Sequence, residues 1–339
     1  MTMKKRIVLF LLSFCVLISK SAFAQSLDLT IEGYGISFGN SRKVNGIRIN
    51  VRDTRLQRVN GLNLTFWKAK DPPTGTVNGF SLGILPGAGT HNGISLGVVG
   101  VEGEDAVNGL AIGSFGVGSG HRVFGLAIGG LGVGAGGSVE GIGVGGLGLG
   151  AGSNIAGIMI GGLGLGSGGD IGGISVGGLG LGAGGHIQGI NIAGIGVGSG
   201  NGIAGLTFAG IAVGTGGDLT GLTVAGIATG AGGTLRGLTV AGIGLGATEI
   251  EGIAMATAAG GLDFDGLAVA PAYFRITERG TFSGLSVSAF NHIQGRQSGI
   301  TIGIFNYADE LNGIQIGVLN HAKNNPKLLR WLPGLNVNF

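Results

Sequence analysis

A β-solenoid, an all-β fold of stacked coils, is predicted by three observations. Glycine supplies 80 of 339 residues, yet mean hydropathy is +0.50 and only 11% of residues are charged. A Gly followed by Leu, Ile or Phe recurs 18 times between Gly46 and Gly313, and the nine spacings from Gly93 to Gly237 are all 16 residues. Within a unit, apolar residues alternate with small ones in short runs, the period of a strand with one buried face. Collagen is excluded by the absence of a three-residue period and by only 6 Pro. Disorder is disfavoured because such chains are charged and poor in aliphatics. Glycine at this density opposes helices, at roughly 1 kcal/mol per interior site relative to Ala.

Residues 1–24 read as a secretory signal peptide. Lys4, Lys5 and Arg6 precede the apolar run Ile7–Ile18, and Ala22-Phe23-Ala24 is an A-x-A cleavage site. The run is too short for a membrane span of ~20 residues. Cleavage removes the only Cys, Cys15, together with Lys4, Lys5, Arg6 and Lys20. Taking those four cations from 20 leaves 16 against 17 acidic residues, a net charge of −1. A basic footprint for nucleic acid is therefore absent. The remainder reads as one continuous domain with capping ends. Residues 25–92 hold irregular units carrying Arg48, Arg52, Arg55 and Arg58; 93–251 form the regular glycine-rich stack; 252–339 return to irregular, more aromatic units.

With the repeat Gly numbered 1, large apolar residues fall at positions 2, 4, 7, 9 and 15. In the unit at Gly205 these are Leu206, Phe208, Ile211, Val213 and Leu219. They are expected to face a common interior, with a glycine corner between positions 4 and 7. The AGG, SGG or TGG turn at positions 10–13 is expected to need positive φ. Position 3, rich in Ser, Thr and Asn (Ser81, Ser95, Ser175, Asn191, Thr207, Thr223, Thr239), should then form an outward polar ladder. Thus Leu238 and Val240 are expected inside and Thr239 outside. Asn45, Asn60, Asn78, Asn92, Asn108 and Asn312 directly precede the repeat Gly, where stacked amides can hydrogen-bond along a ladder.

The competing fold is an up-and-down outer-membrane β-barrel, one strand per unit, acting as a pore. The alternating terminus Leu335-Asn336-Val337-Asn338-Phe339 favours it. Shortage of Tyr and Trp for aromatic girdles and glycine inside every strand oppose it.

No chemistry-bearing motif stands out from the repeat. G-x-S-x-G occurs at Gly79–Gly83, Gly93–Gly97 and Gly173–Gly177, but a nucleophile at Ser81, Ser95 or Ser175 would occupy a position that Gly143 fills elsewhere. The G-x-G-x-x-G matches open no helix, and no P-loop exists. Asp170 and Asp218 are too sparse for calcium-binding repeats. His292, Tyr307 and His321 share position 9 of successive units, with Asn291, Asn306 and Asn320 beside them, and read as an aromatic stack capping the core. No catalytic, cofactor-binding or metal-ligating residue is assigned, no cofactor is expected, and the protein reads as non-enzymatic.

The passages GLTVAGIGLGA (237–247) and GLAVAPAYFRI (266–276), and the ending GITIGIFNYADELNGIQIGVLNHAKNNPKLLRWLPGLNVNF (299–339), resemble the glycine-rich surface repeat proteins of Gram-negative bacterial envelopes. That family has no established chemistry. The resemblance implies an exported location in the cell envelope, whether outer membrane, cell surface or periplasm, and supplies no catalytic residue. The expected partners are the membrane, other envelope components or further copies of the chain.

Overall fold

The computed structural model describes residues 26–339, which fall into two compact units, 26–136 and 137–339, each described by itself. The signal-peptide reading, with Cys15 and Ala22–Ala24, lies outside the described residues.

Both units are β-solenoids, and about 18 coils at about 16-residue spacing account for the chain. In unit 137–339 the strand Ile171–Gly177 pairs in parallel with His186–Ala193, which pairs with Gly202–Ala209, which pairs with Asp218–Ala225. Each residue sits opposite the one 16 places on: Gly173, Gly189, Gly205 and Gly221 form one column. A second column of short strands, Gly164–Ser167, Gly180–Ala183, Gly196–Ser199 and Ala212–Thr215, is paired the same way. An up-and-down barrel needs antiparallel neighbours, so the barrel alternative and its pore are excluded. Among the described residues, antiparallel pairing occurs only at two places. Leu27–Ile31 pairs with Tyr34–Phe38 in unit 26–136, and Trp331–Asn338 pairs with Gly313–Ala322 in unit 137–339. The one helical segment among the described residues is the 3-10 turn Lys327–Leu329.

The repeat glycine is the corner that the fold cannot replace. From Gly35 to Gly284 every glycine of this column has φ between +104° and +145°, a region that L side chains rarely adopt. A Cβ at Gly221 would press on the carbonyl of Gly205 one coil earlier, and the same clash recurs up the column. The AGG-type turn does not supply this conformation: Gly216 and Gly217 lie outside the positive-φ range. The expectation of positive φ at positions 10–13 is thus corrected to position 1.

The inside of the coil differs from expectation more sharply. Positions 9 and 15 do point inward. Ile155, Ile171, Ile187, Ile203, Leu219 and Leu235 form a fully buried spine, faced by Leu149, Leu165, Leu181, Val197 and Val213. Positions 2 and 4 do not. The inward residue of that strand is position 3, so Thr239 is 1% exposed while Leu238 and Val240 lie half-exposed beside it. The reason is volume. A 16-residue coil has room for two bulky ladders, and the third side turns mostly small residues inward: Ser, Thr or Asn at position 3, where Met159 is admitted because its neighbour Gly143 leaves space, and Ala or Gly at 5. Even a Cβ on Gly143 would press on Leu149 and Met159.

Toward the ends the interior becomes polar. In unit 26–136, Arg48 is fully buried, ion-paired with Asp53, and donates from Nη1 to Asn63 Oδ1 at 3.0 Å. Asp53 also accepts from Asn50 (2.6 Å) and Thr65 (3.1 Å), the partners a buried charge needs. In unit 137–339, register continues the inward column from Leu245 through Ala259 and Phe274 to Asn291. Asn291 donates to Asn306 Oδ1 at 2.7 Å, and Asn306 to Asn320 Oδ1 at 2.7 Å.

Candidate interaction surface

Three straight segments of each coil create three sides with different chemistry. Positions 14 and 16 make a polar side. Within 137–248 every charged residue lies there: Glu140, Asp170, Asp218 and Arg236. Positions 8 and 10 make a side of bare backbone. Gly166, Gly182, Gly198 and Gly214 have open space where a Cβ would be. Positions 2 and 4 make an aliphatic side, and position 7 places a further aliphatic ladder on the corner between it and the glycine side.

The aliphatic side is in strict register. Ile158, Ile174, Ile190, Leu206, Leu222 and Leu238 form one column, and Ile160, Val176, Ile192, Phe208, Val224 and Val240 form the next. On the corner, Leu147, Leu163, Leu179, Ile195, Ile211, Ile227 and Ile243 are 42–62% exposed. Twelve coils at ~4.8 Å make the two columns of this unit a strip roughly 58 Å long and ~10 Å wide. That is about 600 Å², already the upper limit of the largest patch on a typical monomer. The capping strand keeps the pattern: Val337 sits opposite Ile314 and Leu335 opposite Ile316, both exposed, while Asn336 turns inward. In unit 26–136 the same side carries Leu27, Leu29, Ile36, Phe38, Ile47, Ile49 and Phe80.

The residues weighed for chemistry have other tasks. Ser81, Ser95 and Ser175 are buried inside the coil, and the hydroxyls of Ser81 and Ser175 find no hydrogen-bond partner. None can be an exposed nucleophile, and the position-3 hydroxyl ladder is internal rather than external. Asp170 Oδ1 accepts from the His186 amide at 2.7 Å, and Asp218 Oδ1 from the Thr234 amide at 2.8 Å. Asn154 does the same for Asp170 at 2.9 Å, and Asp263 for Thr281 at 2.8 Å. Position 14 thus carries a capping motif in which Asn or Asp, where present, satisfies the amide one coil later. A hollow lined by Glu249, Glu251, Asp263 and Asp265 lies on the polar side. Hydrogen bonding from Arg236 holds the Glu251 carboxyl below its usual range, and Glu249 accepts from Thr234 at 2.9 Å. No group of three His, Cys, Asp or Glu among the described residues could hold a metal ion.

His292, Tyr307 and His321 do stack, but outside the core. Register aligns them with Arg275 on the face turned away from the coil interior, where His292 and Tyr307 are half-buried and His321 is buried against Trp331, whereas Asn291, Asn306 and Asn320 take the inward column. The rings run Tyr307 to His321 at 4.9 Å and His321 to Trp331 at 4.3 Å, with Phe290 and Phe305 stacked alongside at 5.0 Å. Burial, then the Arg330 charge, lowers the His321 pKa; burial, then Arg275, lowers that of His292. The corner asparagines form the anticipated ladder: Asn60, Asn78, Asn92 and Asn108 each donate to the preceding Asn at 2.7–2.9 Å.

The outward aliphatic ladders are the feature that sequence reasoning misassigned. Alternation fixes which residues share a side, not which side is wet. One signal was available: between 137 and 248 charges occur only at positions 14 and 16, leaving two sides without any. No helix of the described residues is long and apolar enough to cross a membrane. Comparisons with protein-family models, with curated proteins and with solved structures each return no match.

Proposed function

We propose that the chain is a non-enzymatic, exported protein of the cell envelope that acts through its long side surfaces in a structural or interaction role. The observation that carries this reading is the solvent-facing aliphatic side, repeated coil after coil and kept on the capping strand. Aliphatic ladders add some strand stability, but Thr would serve strand propensity as well and stay wet, so unbroken Ile and Leu ladders turned to water point to a surface that is covered in use. The serine motifs are internal, and Glu249, Glu251 and Asp263 of the acidic hollow accept hydrogen bonds from neighbouring coils, which agrees with a role outside catalysis. Fractionation of producing cells tests the location. The protein should appear in the envelope fraction with its first residue at Gln25, following Ala22-Phe23-Ala24. Recovery from the cytoplasm with Met1 intact would refute export.

A further inference from the structure

We propose that the aliphatic side and corner ladder between residues 137 and 248 lie in the surface of a phospholipid bilayer, the solenoid resting in one leaflet without spanning it. This deepens the surface-acting reading and rests on it. Four observations point to lipid. Between 137 and 248 all charged groups sit on the polar side, so immersing the opposite corner desolvates no charge. The backbone of that corner is satisfied: Ile195 N donates to Leu179 O at 2.7 Å, Ile211 to Ile195 at 2.8 Å, Ile227 to Ile211 at 2.8 Å and Ile243 to Ile227 at 2.8 Å. Hydrocarbon excludes unpaired backbone groups, and a solenoid leaves strand edges only at its ends. Between 137 and 248 the uncharged surface also turns a corner, from the aliphatic side through position 7 onto bare glycine, the glycine column meeting its first charge only at Arg275. A flat second copy would cover one side and leave the corner wet, whereas fluid lipid covers both. Finally, Leu335 and Val337 hold the same side apolar at the cap. Such an arrangement matches an interfacial protein whose apolar face sinks ~5–10 Å into the headgroup boundary.

The test uses the purified chain beginning at Gln25, so that the apolar run Ile7–Ile18 adds no binding of its own, with uncharged phosphatidylcholine vesicles. Binding should appear in flotation and persist from about 0.1 M to about 1 M salt, because it does not depend on charge. In this chain, which contains no other Cys, a fluorophore on Ile211→Cys should be quenched by brominated phosphatidylcholine. The same probe on Thr220→Cys, on the polar side, should not. The triple variant I195K/I211K/I227K should lose at least about tenfold in vesicle binding, while Q188K/A204K/T220K binds as before. Quenching at 220 rather than 211, or a salt-sensitive interaction, would overturn the proposal. So would a soluble dimer that shields residue 211 and does not float. If the triple variant fails to fold, the quenching pair decides alone. Fractionation reports export independently, so an envelope protein that ignores vesicles would sink the bilayer and leave the envelope reading standing.

Discussion

Replacing Gly221 by Ala tests the corner that builds every coil. Gly221 has φ +110°, between Gly205 at +111° and Gly237 at +113°. A side chain there holds the backbone in a sparsely populated region, at ~1–3 kcal/mol. Its Cβ also meets the Gly205 carbonyl, which is backbone and cannot rotate away, so two coils must separate locally. Together these give a destabilisation of roughly 2–4 kcal/mol, a large part of a domain's net ~5–15 kcal/mol. The control is Gly214→Ala, seven residues earlier in sequence. Gly214 has ordinary φ and open space at its Cβ. Ala there should be neutral or stabilise by up to ~1 kcal/mol, through the lower entropy of the unfolded chain. Urea denaturation followed by circular dichroism compares the midpoints, and hydrogen exchange at residues 205–237 localises the damage. Equal tolerance of the two substitutions would refute the stacked-corner reasoning.

Three further outcomes are expected. Burial pushes the His91 pKa from 6.5 down to about 4. The unfolded chain therefore binds the extra proton first, and stability declines from pH ~6.5 toward 4, by roughly 3 kcal/mol, with no effect above 6.5. His91→Val, matching Val77 and Val107 in its column, should flatten stability over that window; an unchanged slope would exclude His91 as the cause. Asn306→Leu removes the middle of the buried amide column and strands Asn291 and Asn320, which should lower stability by ~2–4 kcal/mol in urea melts; a neutral result would show the ladder to be dispensable. Deletion of residues 221–236 removes one whole coil and returns Gly237 to the place of Gly221, so the β signal in circular dichroism should survive; a chain left without it would contradict nearest-neighbour stacking.

The solenoid was legible because a 16-residue column of Gly, with aliphatics at fixed offsets, states both the coil length and the stacking register. The Asn ladder at Asn60 to Asn108 was legible for the same reason. What the sequence hid was the polarity of the strand carrying positions 2–5. Leu238, Thr239 and Val240 alternate, and hydrophobicity alone puts Leu and Val inside. The structure turns Thr239 in because Leu235 and its spine, with the position-9 ladder opposite, already fill the coil. The corner at position 1 was likewise obscured, since eight or more glycines per two units leave no local sign of which one carries positive φ. Toward the C-terminal end the inward column moves from position 9 to position 8 at Ala259, returns to position 9 at Phe274, and moves to position 8 again at Asn291. Counting from the repeat Gly alone therefore placed His292 where Asn291 belongs.

Accessibility of residues 227 and 239 tests the central claim, that the coil turns small polar residues inward and aliphatic residues outward. Ile227 is 43% exposed and Thr239 is 1% exposed. In a Cys15→Ser chain held in lipid-free buffer, Ile227→Cys should react with an aqueous maleimide at close to the rate of the unfolded protein. Thr239→Cys should stay protected until urea unfolds the chain. Rapid labelling at 239 with protection at 227 would contradict the account and restore the aliphatic residues to the interior.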